Sequence, residues 1–284
     1  MAKIAVLFSE GDNNPKTYVV HYLAEHWRQA GHEVVYLMGT GCFIPADLLF
    51  LHVDLSVVPA AYLHFANRYP RVLNRRITDI RKSRVSRLLV GPNDSWSGPV
   101  IIKSDLNYGG IPERAFGRTW LERRFPTLKR ARNKAERVVR RHTKFLTPLE
   151  YQIYPDLGGV PKSVFRSAYW VVEKFLPEVE SGFYHLRMYQ FLGDRYLSTR
   201  LASKDQMIKV VNSSSITDID PHPIVEQWRR DFGLDYGKLD YVVHDGEPIL
   251  LDINKTVGAV SGPRNDAEVN ARRQFLAAGI NAFL

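Results

Sequence analysis

The chain has 284 residues, 45% of them hydrophobic and 24% charged, which is typical of a folded protein with room for two or three modest domains. Its apolar runs are too short to span a membrane, and its first residues are too few for a signal peptide, so we expect a cytoplasmic protein. The single cysteine, Cys42, excludes an internal disulfide and is expected to be buried. The formal net charge of +9 points to an anionic partner or substrate.

The N-terminal part alternates between strand and helix patterns. Residues 3–8 form an apolar run, Tyr18–Ala30 is amphipathic, and Glu33–Met38 and Leu48–His52 are two further apolar runs. Strand–helix–strand order with short links predicts a parallel α/β layer. The polar turn Ser9–Asn14 follows the first strand, at the edge where open α/β sheets bind ligands.

The next part is expected to close this layer and begin a new domain. Ala60–Tyr69 is predicted to be a helix and Arg71–Asn74 a strand. Arg75–Leu89 is basic, with apolar residues at helical spacing, and is predicted to be a helix. The first domain boundary is therefore placed near Asn74.

A short apolar strand ends in Lys103 and is followed by the loop Ser104–Gly110, which contains a Gly-Gly pair. A lysine that emerges from a buried strand places a positive charge against a phosphate, and backbone N–H groups of a glycine loop close over it. The alternative is a strand-to-turn junction with a solvated lysine.

The segment Glu113–Lys144 contains twelve arginines or lysines against three glutamates, at helical spacing. Two interpretations are open: a solvated basic helix face, or a surface that docks tRNA, an acidic carrier protein or an anionic substrate. The following segment, Leu146–Val164, is predicted to be a loop because it is rich in proline and glycine.

Trp170–Lys174 is a further apolar strand, and Phe183–Phe191 and Tyr196–Leu201 are predicted to pair around the turn Gly193-Asp194. This pairing directs Arg187 and Arg200 toward one face, where guanidinium groups suit a phosphate or carboxylate. For Arg200 a surface cross-strand charge is the alternative.

Near the C-terminus two apolar runs flank His244–Pro248, and its Asp-Gly pair predicts a β-hairpin. The hairpin places Asp240 and Asp252 side by side, with Asn254 on the same face because side chains alternate along a strand. Two carboxylates and an amide oxygen are donors for Mg²⁺. The alternative is a solvated hairpin with ordinary surface acids.

The strand lysine with its glycine loop, the strand that runs into Pro177, and the acid–x–Asn ending resemble, in this order, the ATP-grasp superfamily from about Arg75 onward. The carboxylate–amine ligases, such as ribosomal-protein glutamate ligases and D-alanine–D-alanine ligase, are the members it is similar to. The resemblance implies an α/β and α+β protein with an N-terminal parallel layer and a nucleotide bound between two α+β subdomains. The implied domains are 1–74, 75–172 with a basic helical insertion at about 112–145, and 173–284.

The resemblance also implies roles for particular residues. Lys103 would touch the nucleotide phosphates, the loop would cover them, Glu173–Leu176 would read adenine, Glu178 would hold the ribose, and Arg187 would support the transferred phosphate or acyl phosphate. Arg200 joins Arg187 and Lys103 as a candidate catalytic residue because the strand pairing directs it toward the same face as Arg187. The implied cofactor-binding residues are Lys82, Lys103, Ser104, Tyr108, Gly109, Gly110, Glu173, Lys174, Phe175, Leu176 and Glu178, and the implied metal ligands are Asp240, Asp252 and Asn254.

Two departures from the family pattern concern these residues. The last metal-binding acid is usually a glutamate, whereas here it is the shorter Asp252. The family has an earlier lysine well upstream of the strand lysine, and Lys82, the nearest candidate, lies close to Lys103 in the sequence.

The expected activity is an ADP-forming ligase that joins a small-molecule carboxylate to an amine or thiol through an acyl phosphate, with ATP and Mg²⁺, or Mn²⁺, as cofactors. A phosphotransferase on a small molecule and a non-catalytic nucleotide-binding protein that docks an anionic partner on its basic helix are the alternatives. The three metal-ligand positions argue against the non-catalytic alternative. The oligomeric state is open, with a homodimer as one option.

Overall fold

The computed structural model describes residues 1–10, 12, 14–117, 127, 151–259 and 266–284. Their contacts group them into two compact units. The larger unit comprises Met1–Ile80, Arg84–Arg87 and Leu176–Leu284, and the smaller unit comprises Arg81–Ser83 and Leu88–Phe175. The three-domain division with boundaries near residues 74 and 172 stays a prediction.

The described strands are, in chain order, β1 (Lys3–Phe8), β2 (Glu33–Met38), β3 (Leu48–Leu51), β4 (Val72–Leu73), β5 (Val100–Ser104), β6 (Gln152–Tyr154), β7 (Trp170–Lys174), β8 (Glu178–Glu180), β9 (Phe183–Leu192), β10 (Arg195–Ser203), β11 (Ser215–Asp218), β12 (Tyr236–His244) and β13 (Glu247–Asn254). The described α-helices are α1 (Val19–Gln29), α2 (Ala60–Ala66), α3 (Lys82–Val85), α4 (Ile111–Phe116), α5 (Lys162–Phe165), α6 (Ile224–Phe232) and α7 (Asp266–Ala277). None of these helices is long and apolar enough to cross a membrane.

The larger unit contains the predicted parallel layer. Its sheet has the order β2-β1-β3-β4, and every pair in it is parallel. All four residues of β3 are buried, as are five of the six in β1, which is the continuous apolar pattern of a parallel sheet covered on both faces. The Trp27 indole of α1 donates a hydrogen bond to the carbonyl of Ala277 at 2.9 Å, so α7 closes the same core.

A second, antiparallel sheet lies in the same unit, with the order β11-β10-β9-β12-β13 and β8 paired to β9. Its central strands are long, and Tyr189, Phe191, Tyr236 and Tyr241 are fully buried in them. α6 covers this sheet through Val225 and Trp228 and ends at Gly233, which has a φ of 65°. This sheet carries the hairpin on which the predicted metal ligands lie.

Asn74 connects the two sheets at the start of β12. Its side-chain oxygen accepts hydrogen bonds from the N–H groups of Asp235 and Tyr236 at 3.0 Å each, and its own N–H donates to the Asp235 carboxylate at 2.7 Å. The residue has a φ of 59°, in the left-handed region that asparagine tolerates well. These bonds hold the first residues of β12 against the end of the parallel layer.

In the smaller unit β5 is flanked by β6 and β7 in an antiparallel sheet. All five residues of β5 are buried, and its apolar side chains pack with Val90, Val160 and Val172. The predicted strand that ends in a lysine is therefore the central strand of this sheet.

Three of the predictions for local structure are wrong. Arg75–Leu89 is helical only over α3, because the N–H of Val58 donates to the carbonyl of Thr78 and that of Ile80 to the carbonyl of Ser56, both at 2.8 Å, which holds the preceding residues extended. Cys42 is exposed. Leu146–Val164 contains β6 and the first three residues of α5 in its described part.

Much of the predicted basic helix lies outside the described residues. The described part of Glu113–Lys144 consists of the end of α4, Gly117 and residue 127. Residues 118–126 and 128–144 lie outside the described residues. Gly11 and Asn13 of the N-terminal turn and residues 260–262 of the loop after Asn254 are outside the description as well.

His52 makes folding of the larger unit sensitive to pH. Burial, followed by the charge of Lys255, lowers the pKa of this fully buried side chain from 6.5 to about 3. The unfolded chain binds a proton below pH 6.5, whereas the folded chain does not until about pH 3. Stability is therefore lost as the pH falls through this window, by up to about 1.4 kcal/mol per pH unit from this group.

We expect the His52→Phe variant to show a flatter dependence of the free energy of unfolding on pH than the wild type. Phenylalanine removes the titrating group and keeps an aromatic ring beside Tyr18, whose ring centroid lies 4.8 Å from that of His52. Urea unfolding at pH 7, 5.5 and 4.5 measures the difference. If the free energy of unfolding decreases equally with falling pH in both proteins, His52 is not the cause of the loss of stability in acid.

Candidate active site

The hairpin predicted near the C-terminus is formed by β12 and β13. They are joined by Asp245 and Gly246 alone, whose φ values are 51° and 85°. Positive φ at both central residues is the backbone of a type I′ turn, whose twist matches that of paired strands. The Asp-Gly pair thus specifies the turn. The turn in turn determines which residues of β12 and β13 pair next to it.

A β-bulge brings the two carboxylates together. From the turn to Tyr241, which pairs with Leu250, the register runs without interruption, and it then shifts so that Asp240 pairs with Asp252. Leu251 is the extra residue on β13. Without the shift Asp240 would lie opposite Leu251, and Asp252 would point to the other face of the sheet. The predicted juxtaposition is confirmed, but it depends on this bulge.

Lys238 is a residue of this site that the sequence interpretation missed. It lies opposite Asn254 in the ladder, and its Nζ is 2.8 Å from Oδ2 of Asp240. A signal was present in the sequence, since Lys238 precedes Asp240 by two residues and therefore shares its face.

The side-chain oxygen of Asn254 has a defined orientation. It accepts a hydrogen bond from the N–H of Thr256 at 3.0 Å. Because an amide oxygen has two lone pairs, this bond directs the oxygen and leaves a second acceptor position for a cation.

The donor set fits Mg²⁺. Two carboxylates directly opposite each other on a sheet repel, and the Lys238 ammonium supplies one positive charge against their two negative ones. Among the described residues there is no group of three or more His, Cys, Asp or Glu side chains arranged for a metal. The candidate donors are the two carboxylates and the Asn254 amide, an oxygen set that would leave the other positions of a Mg²⁺ ion to water and phosphate.

Glu178 is the acceptor for the two predicted arginines. Arg187 and Arg200 lie opposite each other on β9 and β10. Arg187 donates to Glu178 through Nε and Nη2, each at 2.9 Å, and Nη2 of Arg200 is 2.8 Å from Oε1 of the same carboxylate. The prediction that both arginines face one side is confirmed by this shared partner.

The backbone and the local electrostatics complete this arrangement. The N–H of Val243 in β12 donates to Oε2 of Glu178 at 2.8 Å. Burial of Glu178 works to raise its pKa, but the hydrogen bonds from Arg187 and Val243 and the charges of both arginines outweigh it, so the pKa is lowered. The carboxylate stays charged and keeps the guanidinium groups in place. The predicted ribose contact of Glu178 stays a prediction.

Lys103 forms an ion pair inside the smaller unit. Its Nζ lies 2.7 Å from Oε2 of Glu173, whose side chain is 0% exposed, while that of Lys103 is 11% exposed. The pair crosses from β5 to β7, where Glu173 is opposite Ile101. An ammonium has three donors, so Glu173 orients the lysine and leaves donors for a phosphate.

Lys82 lies at the end of β5, although it precedes Lys103 closely in the sequence. Its N–H donates to the carbonyl of Asp105 at 3.0 Å, and the N–H and hydroxyl of Ser83 donate to the Asp105 carboxylate at 2.7 and 2.9 Å. Lys82 itself is buried. That Lys82 is the candidate for the family's earlier lysine stays a prediction.

The glycine loop has an unusual backbone. Tyr108, Gly109 and Gly110 have successive φ values of 47°, 63° and 68°, and Gly110 is the N-cap residue of α4. Residues in the left-handed region turn backbone N–H groups toward the concave side of a loop, as in anion-binding nests. The Ser104 hydroxyl donates to the carbonyl of Leu106 at 2.8 Å and shapes the start of this loop.

The segment predicted to read adenine is engaged within the smaller unit. The N–H of Lys174 donates to the carbonyl of Leu88 at 2.8 Å, and that of Phe175 to the carbonyl of Pro99 at 2.9 Å. Leu176 begins the next stretch of the larger unit. Adenine recognition by Glu173–Leu176 stays a prediction.

No protein-family model matches the sequence, and no curated protein matches it. Solved structures do match over nearly the whole chain. A RimK-domain ATP-grasp protein from Sphaerobacter thermophilus is 12% identical, with 99% of each chain covered and a TM-score of 0.52. D-alanine–D-alanine ligase from Bacillus anthracis, complexed with ATP, is 12% identical, with 100% of this chain and 97% of that chain covered and a TM-score of 0.51.

Identities this low show the fold alone. The mixed architecture, with a parallel layer and two antiparallel sheets, agrees with both neighbours. The chain has the ATP-grasp fold, which confirms the resemblance predicted from its motifs.

Proposed function

We propose that this protein is an ATP-dependent, ADP-forming ligase that joins a carboxylate to an amine. The observation that carries the proposal is that Asp240 and Asp252 lie directly opposite each other in the ladder of an ATP-grasp fold. Asn254 lies two residues after Asp252, on the same face. The Bacillus anthracis neighbour was solved with ATP, which supports ATP as the nucleotide. Fold alone does not establish activity, so the proposal depends on the site.

In this proposal Lys103, Lys82 and the glycine loop bind the triphosphate. The two lysines contribute fixed positive charge from buried positions, and the loop contributes backbone N–H groups. Asp240, Asp252 and Asn254 would hold Mg²⁺, or Mn²⁺, which when bound neutralises charge that develops on the phosphates. The Lys238 ammonium adds a further positive charge beside Asp240.

Arg187 and Arg200 would stabilise the group that is transferred. Glu178 pairs with both guanidinium groups and Glu180 pairs with Arg200 at 2.6 Å, so two carboxylates offset the two positive charges, and the arginines would act as oriented N–H donors. Two guanidinium groups held by one carboxylate are already oriented, and catalysis of phosphoryl transfer rests on such positioning and charge stabilisation.

The reaction proposed has two steps. A substrate carboxylate oxygen attacks the γ-phosphorus of ATP, the bond to the bridging β–γ oxygen breaks, and ADP leaves with an acyl phosphate formed. The amine then attacks the acyl carbon, phosphate leaves, and the amine proton passes to solvent. No covalent bond to the enzyme is required.

The net charge of +9 supports an anionic partner for the basic segment Glu113–Lys144, most of which lies outside the described residues. An acidic carrier protein, tRNA or an anionic substrate at this segment, a homodimer and a cytoplasmic location all stay predictions.

The test is a product assay on the purified full chain. The protein is incubated with ATP, MgCl₂ and a pool of amino acids, and ADP release is measured with and without hydroxylamine. Acyl-hydroxamate formation together with ADP supports ligation. A stable phosphorylated product with no hydroxamate would instead show a phosphotransferase, and ATP binding with no ADP from any mixture would contradict an enzyme of this class.

A further inference from the structure

Asp54 accepts two side-chain hydrogen bonds, one from the segment that follows β13 and one from the residue that precedes α1. It lies just after β3, and its Oδ1 accepts a bond from the Thr256 hydroxyl at 2.6 Å. Its Oδ2 accepts a bond from the Tyr18 hydroxyl at 2.8 Å.

Thr256 extends this connection to Asn254. Its hydroxyl donates to Asp54, and its N–H donates to the side-chain oxygen of Asn254 at 3.0 Å. Thr256 is 4% exposed, so both bonds are shielded from water. The result is a continuous series of hydrogen bonds from Tyr18 through Asp54 and Thr256 to a proposed metal ligand.

The backbone on either side of Tyr18 holds the same segment. The N–H of Val19 donates to the carbonyl of Val257 at 2.8 Å, and the N–H of Ala259 donates to the carbonyl of Thr17 at 2.7 Å. These bonds place residues 257–259 but leave the Thr256 side chain undetermined. The Asp54 carboxylate binds the Thr256 hydroxyl, and the N–H of the same residue binds Asn254.

Asp54 is suited to this role because it stays a pure acceptor. Burial, followed by the charge of Asp54, raises the pKa of Tyr18, so the phenol keeps its proton and donates. Both carboxylate oxygens therefore receive a hydrogen bond. An asparagine at this position would retain one acceptor and present an N–H₂ group to the other donor.

We infer that Asp54 is a positioning residue for the metal ligand Asn254, through Thr256, and thereby sets the affinity of the site for a divalent cation. The inference rests on the proposed function, since it assigns Asp54 a part in the proposed metal site. Groups that orient metal ligands from behind commonly change metal affinity ten- to a hundredfold when they are replaced.

Binding of Mn²⁺ to the full chain in the presence of ADP, followed by electron paramagnetic resonance, tests this inference without turnover. Asp54→Asn and Thr256→Val are expected to weaken Mn²⁺ binding about tenfold, and Thr256→Ser, which keeps the hydroxyl, to stay within about twofold of the wild type. Asp47→Asn is the matched control, because Asp47 is an exposed acid of the same layer that accepts a bond from the N–H of Lys3 instead.

Kinetics with the wild type and the same variants separate positioning from two other roles. The inference predicts a raised KM for Mg²⁺ with kcat largely recovered at saturating Mg²⁺. Lower thermal stability with unchanged Mn²⁺ affinity would show a merely structural role and overturn the inference. A raised KM for the amine with intact Mn²⁺ affinity would overturn it in favour of a substrate contact.

The wild type distinguishes failure of the inference from failure of the proposed function. If the wild type binds Mn²⁺ and the Asp54 and Thr256 variants bind it equally well, only the inference fails. If the wild type does not bind Mn²⁺ with ADP, the proposed metal-dependent function fails, and the inference fails with it.

Discussion

Replacing Lys103 by alanine is expected to lower the rate of ADP formation at least about a hundredfold, the usual effect of removing one fixed charge or donor that stabilises a transition state. The side chain emerges from the buried strand β5 and is oriented by Glu173 at 2.7 Å. Its ammonium is therefore held in place before any nucleotide binds. A coupled assay for ADP at saturating ATP measures the loss.

The same substitution is expected to destabilise the smaller unit. It leaves the carboxylate of Glu173, which is 0% exposed, without its ammonium, and breaking a buried ion pair on one side costs about 3–5 kcal/mol. The double variant Lys103→Ala/Glu173→Gln removes the buried charge, so we expect it to recover most of the stability and to remain inactive. This contrast separates loss of chemistry from loss of folding.

Lys162→Ala is the control, because Lys162 is exposed on α5 of the same unit. It should leave both the rate and the free energy of unfolding unchanged. Wild-type turnover in the folded double variant would remove Lys103 from the proposed site.

Replacing Asp252 by alanine is expected to abolish Mg²⁺-dependent ADP formation while leaving the fold intact. The substitution removes one of the two carboxylates proposed to hold the metal, which lies directly opposite Asp240 in the ladder. A coupled assay for ADP at several Mg²⁺ concentrations measures the loss of activity, and thermal unfolding checks that the variant is folded.

Two further variants of β13 serve as a conservative replacement and as a control for the Asp252→Ala variant. Asp252→Glu restores the residue usual in the family and a carboxylate, so we expect it to keep part of the activity and to alter the KM for Mg²⁺. Glu247→Gln changes an exposed acid of the same strand and should have no effect. ADP formation by Asp252→Ala at the wild-type rate and with the wild-type dependence on Mg²⁺ would contradict the proposed metal site.

Short-range patterns predicted the main elements of the fold correctly. The apolar runs of β1, β3 and β5 stand out because buried strands in the middle of a sheet need apolar residues on both faces. The Asp-Gly turn between β12 and β13 is equally local, since it depends on the φ preferences of two adjacent residues.

Local patterns failed where contacts from distant residues decide the conformation. The spacing of Ile77, Ile80 and Leu88 fits a helix, yet residues 78–80 are extended because their backbone is hydrogen-bonded to Ser56 and Val58. The spacing of apolar residues indicates which side chains are buried. It does not determine which groups will accept or donate the hydrogen bonds of their backbone.

By itself, the sequence determined the chain order of the strands that carry the candidate site, the identity of Lys103, Asp240, Asp252 and Asn254, and the face on which alternate residues lie, because these are properties of neighbouring residues. Only the tertiary structure decided which of these side chains meet. The bulge at Leu251 places Asp252 opposite Asp240, Glu178 holds Arg187 and Arg200, and Asp54 reaches Thr256. Each contact joins strands or segments whose relative register is set by packing and by hydrogen bonds across the fold, and a register shift of one residue reverses the face of every side chain that follows.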